Sequence, residues 1–89
     1  MDTKVMMNEA IKAKLEQAKS TIRKGVKLRQ AHAVIENGPD STDYVVAVFI
    51  ETMNQYDGAS YFQAQGRAAA MQKELGYLGY GYEIIKVEV

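Results

Sequence analysis

Gly58-Ala59-Ser60-Tyr61-Phe62 is the stretch of this chain whose context most resembles that of a nucleophile, because it follows a strand-like run and opens a helix-like one. A hydrolase elbow lifts its serine on such a turn, but it needs glycine two residues on, where this chain has Phe62. An acid and a histidine must also meet the hydroxyl. No such pair is evident from the spacing, and the stretch reads as a helix start in which Ser60 and Gln63 form a capping box. The free backbone N–H groups of a helix start attract a phosphate or a carboxylate as a generic property.

His32 is the only histidine and there is no cysteine, so the cluster that zinc requires is missing. His32 is expected at a core edge or an interface. Asn37, Asp40, Ser41 and Asp43 carry oxygens suited to a hard cation, yet the register lacks the closing bidentate glutamate of a calcium loop. Turn formation accounts for them. Gly76-Tyr77-Leu78-Gly79-Tyr80-Gly81-Tyr82 has the composition of a phosphate loop but leaves a helix, at the negative end of its dipole. Its tyrosines say more: Tyr56, Tyr61, Tyr77, Tyr80 and Tyr82 gather around two loops, and tyrosine supplies rigid amphipathic contact area. With no acid-base or nucleophile constellation to assemble, a non-enzymatic protein without metal or cofactor is expected.

The elements that carry these residues follow from periodicity. Met7, Ile11, Leu15, Ala18 and Ile22 make one apolar stripe, which predicts a helix from about Lys4 to Lys24 capped by Gly25. A strand follows from about 27 to 36, then a turn-rich loop, then a strand over 43–52. Tyr44 to Ile50 is apolar on both faces and reads as a central strand. Tyr61, Ala64, Ala68, Met71 and Leu75 predict a second helix over about 60–75, slim and ended by Gly76, and a last strand runs from about 82 to 89. The order α-β-β-α-β defines a single small α+β domain: a three-stranded antiparallel sheet, last strand beside the first, with two helices packed on it.

Eighty-nine residues suffice for one thin core. No apolar run reaches the ~18 residues of a membrane span, and the charged start differs from a signal peptide, so a cytoplasmic protein without membrane contact is expected. Net charge is zero, but residues 1–29 carry eight cations against three acids and residues 30–89 the reverse, three against eight. The plain explanation is a lysine-rich helix lying over an acidic sheet edge.

With both helices on one face, the other face displays Leu28, His32, Val34, Val45, Phe49, Tyr82 and Ile84, an apolar surface that a partner should cover; the alternative, one helix on each face, satisfies the strand internally. The expected function is a protein-binding module, homodimeric, contacting its partner through His32, Phe49, Tyr77, Tyr80, Tyr82 and the basic residues Lys12, Lys19, Arg23 and Lys24. A phage or mobile-element inhibitor of a host enzyme or defence complex, of the anti-CRISPR type, would look like this, although no motif carries that resemblance. The alternative is a nucleic-acid-binding protein in which the basic helix follows phosphates and Tyr80 or Tyr82 stacks on bases.

Overall fold

In a computed structural model that describes residues 3–89, the elements are α1 (Thr3–Lys19), β1 (Leu28–Asn37), β2 (Asp43–Thr52), α2 (Ala59–Leu75), a 3₁₀ turn (Gly76–Leu78) and β3 (Gly81–Val87). The three strands form one antiparallel sheet in the order β2-β1-β3. The last strand lies beside the first, so β1 is the central strand and the greasier β2 lies at an edge. Both apolar faces of β2 are nonetheless used, because the helices sit on opposite sides of the sheet.

Alternation along β1 makes this plain. Ala33 and Ile35 point into a core with Ile11 of α1 and Val45 of β2, flanked by Met7, Val48, Ile85 and Val87. His32 points the other way, its ring bonded to Ser60 and edge-on to Tyr61, both of α2. The expectation that one sheet face would be left to a partner is therefore corrected: α2 covers it, and Val34 on that face is fully buried. Phe49 there is half-buried. A bulge adds a second correction. The pairing of β1 with β2 shifts between Val34 and Ile35, so Val46 is the extra residue and Val45 turns to the α1 side, where it is buried.

The helix ends also differ from expectation. α1 stops at Lys19 rather than Lys24 because the Ser20 and Thr21 hydroxyls donate to the carbonyls of Gln17 and Ala18, competing with the helical ladder. Arg23, Lys24 and Gly25 thus lie in a loop. At the other helix the N-cap is Gly58, in left-handed geometry with φ of 99°, and Ser60 lies inside the first turn, so the capping box does not form. Gly76 caps α2 as expected but in right-handed geometry, and the left-handed glycine is Gly79, at φ of 90°, which ends the 3₁₀ turn that follows.

Candidate functional site

The first turn of α2 is built around Glu51, a fully buried carboxylate near the end of β2. Its Oε2 accepts from Arg29 Nη1 at 2.9 Å and Gln30 Nε2 at 3.1 Å. Its Oε1 accepts from the Gly58 N–H at 3.1 Å, the Ser60 N–H at 2.9 Å and the Ser60 hydroxyl at 3.2 Å. Burial opposes the charge, but these hydrogen bonds outweigh it and bring the carboxyl down to about 2. The anion that a helix start attracts is here the chain's own, and it fastens α2 to the sheet.

Ser60 Oγ shares a 2.7 Å hydrogen bond with His32 Nδ1. The fold thus brings together the acid and the histidine that spacing did not reveal, but in the order carboxylate, hydroxyl, imidazole. A nucleophilic triad needs the imidazole in the middle. Ser60 is also fully buried, so its hydroxyl meets no dissolved substrate in this conformation. The network is an anchor. His32 is lowered from its usual pKa by burial, with Glu51 opposing and Lys86 adding to the shift. Among the described residues no three His, Asp or Glu side chains converge as metal ligands would.

Outside this anchor stands a cluster of exposed rings. Tyr56, Phe62 and Tyr61 are 64%, 59% and 43% exposed, with Tyr56–Phe62 and Phe62–Tyr61 centroid distances of 6.0 and 6.3 Å. Met53, just past the end of β2, is 53% exposed. The basic loop reaches the same place: the Met53 N–H donates to the Lys27 carbonyl at 2.9 Å, and Arg29 Nη2 reaches the Met53 carbonyl at 3.4 Å. Arg23, Lys24 and Lys27 in that loop are exposed. A shallow cavity of about 140 Å³ between the start of β1 and the end of β3 is lined by Arg29, Gln30, Lys86, Val87, Glu88 and Val89. One end of the sheet therefore combines aromatic area with cations.

The residues expected to form a site do not all meet there. Lys12 is exposed midway along α1, and Lys19 is held by Glu16 at 3.7 Å and by the Val89 carbonyl at 3.0 Å. His32 and Phe49 lie under α2. Tyr77, Tyr80 and Tyr82 lie at the opposite end of the sheet, where Asn37 pairs with both Asp43 and Gly81. There Tyr77 is 83% exposed, while the Tyr82 hydroxyl donates to Glu36 Oε1 at 2.6 Å. Burial and that carboxylate push Tyr82 up to about 12. The loop cations Arg23, Lys24 and Lys27 thus lie at one end of β1 and Tyr80 and Tyr82 near the other, separated by much of its ~30 Å length. Phe62, which in the sequence only argued against a nucleophile elbow, is a principal member of the cluster.

Among the described residues only Lys19–Glu16 and Arg29–Glu51 form ion pairs, and neither involves Arg23, Lys24 or Lys27. Among the described residues no helix is long and apolar enough to cross a membrane. The chain matches no family model, no curated protein and no solved structure.

Proposed function

We propose that the protein is a non-enzymatic binding module that grips an acidic protein surface with the end bearing Met53, Tyr56, Tyr61 and Phe62 and the cations Arg23, Lys24 and Lys27. The observation that carries this reading is the exposure of three adjoining rings at the end of the sheet that bears cations forming no ion pair among the described residues. Aromatic rings and arginine are the side chains that dominate interface energetics, and uncompensated cations steer an acidic partner into place. Such a module acts by occupying its partner's surface. Inhibition of a host enzyme or defence complex is the biological form this reading takes.

Capture from the native host's lysate with mass spectrometry tests it. A partner retained by the wild type and lost with Tyr56→Ala/Phe62→Ala supports the reading; no partner, or equal retention by the variant, overturns it. The same rings and cations also favour a second reading, single-stranded nucleic acid, with bases stacked on Tyr56 or Phe62. That reading predicts salt-sensitive retardation of a mixed oligonucleotide pool, and no retardation at low salt removes it.

A further inference from the structure

We infer that the basic, aromatic end docks on the opposite, acidic end of a second copy of this chain, giving a head-to-tail contact. This rests on the binding surface proposed above and names one occupant for it. The argument is charge complementarity along the strand axis. The end of the sheet where β1 finishes carries Glu36, Asp40, Asp43, Glu74 and Glu83, with Lys73 among them. Of these acids all but Glu36 are exposed. Tyr44 and Leu78, 60% and 49% exposed, and the still more open Tyr77 stand among them.

The basic end holds the exposed acids Asp57 and Glu88 as well, yet its loop cations Arg23, Lys24 and Lys27 find their complement in the exposed carboxylates of the other end. Exposed carboxylates meet Arg23, Lys24 and Lys27, and the tyrosines of one end meet the rings of the other. Arg23, Lys24, Asp43 and Glu74 form no ion pair within the described chain, so docking breaks no ion pair of theirs. The two patches are different surfaces, so the contact is heterologous: unless the rotation closes a ring, mass grows with concentration instead of stopping at two chains.

Sedimentation velocity on the full chain at low ionic strength tests this with two neutralised variants, Arg23→Gln/Lys24→Gln/Phe62→Ala at one end and Asp43→Asn/Glu74→Gln/Tyr77→Ala at the other. The wild type should exceed the mass of one chain and fall back to it at high salt. Each variant alone should sediment as a single folded chain by circular dichroism, and an equimolar mixture should form one-to-one pairs, since it holds one intact end of each kind. A wild type that is monomeric at every concentration overturns the inference, and so does mixing that yields no pairs. A monomer that still captures a host partner through Tyr56 and Phe62 would refute self-docking alone.

Discussion

At the residue scale the molecule turns on Glu51. A buried carboxylate with five donors is held far below its usual pKa of 4.5, at about 2. A carboxyl easier to ionise folded than unfolded contributes stability that is present above pH 4.5 and lost as pH falls toward 2. His32, harder to protonate folded than unfolded, acts with the same sign at higher pH. Its contribution is present above 6.5 and is lost as pH falls through its lowered value. The groups facing it are Ser60 and Tyr61 of α2, Glu51 of β2 and Lys86 of β3. The urea midpoint should therefore fall in two stages on acidification. Glu51→Gln removes the lower stage and presents an amide to backbone donors, lowering the melting temperature at neutral pH by ~10 °C or more. His32→Asn, which keeps a polar atom near Nδ1, should remove only the upper stage.

At the element scale α2 can approach the sheet because its inner face is small: Ala59, Ser60 and Ala64 are all buried. Ala64→Leu has no room and should cost ~1–3 kcal/mol. Ala69→Leu on the exposed side should change stability by no more than ~0.5 kcal/mol, and thermal melts of the two variants check the contrast. Spacing alone made this helix legible, as it did the element order and the adjacency of the last strand to the first. It did not reveal which faces the helices take. An apolar stripe says that a helix docks without saying on which side of a sheet, and the Val46 bulge moves Val45 across the sheet without a local signal. The anchor was hidden for a related reason. Glu51, Ser60 and His32 come from three elements, and only the antiparallel pairing of β1 with β2 beneath α2 makes them neighbours.

At the scale of the whole molecule, the surface of interest is separable from the fold. The tyrosines around the loops were visible in the sequence, but their division between two ends follows from strand direction, which sends Tyr56 and Tyr61 to the basic end and Tyr77, Tyr80 and Tyr82 to the acidic one. At the basic end the anchor on Glu51 is buried while Tyr56 and Phe62 are largely in solvent, so the two sets of side chains should respond independently to substitution. Tyr56→Ala and Phe62→Ala remove area that is already wet in the free protein, and each should leave the urea midpoint within the ~0.5 kcal/mol typical of surface changes. The same truncations take away ring area that a partner would desolvate, where a central aromatic is worth ~2 kcal/mol or more, so binding should weaken at least ~30-fold. Salt separates the remaining contribution. Raising ionic strength screens Arg23, Lys24 and Lys27 but leaves ring burial intact, so a partner should be captured more slowly at high salt while its dissociation rate changes little. Equal losses of stability and binding in the ring variants, measured by urea melts alongside surface plasmon resonance, would instead place Tyr56 and Phe62 among the supports of the fold.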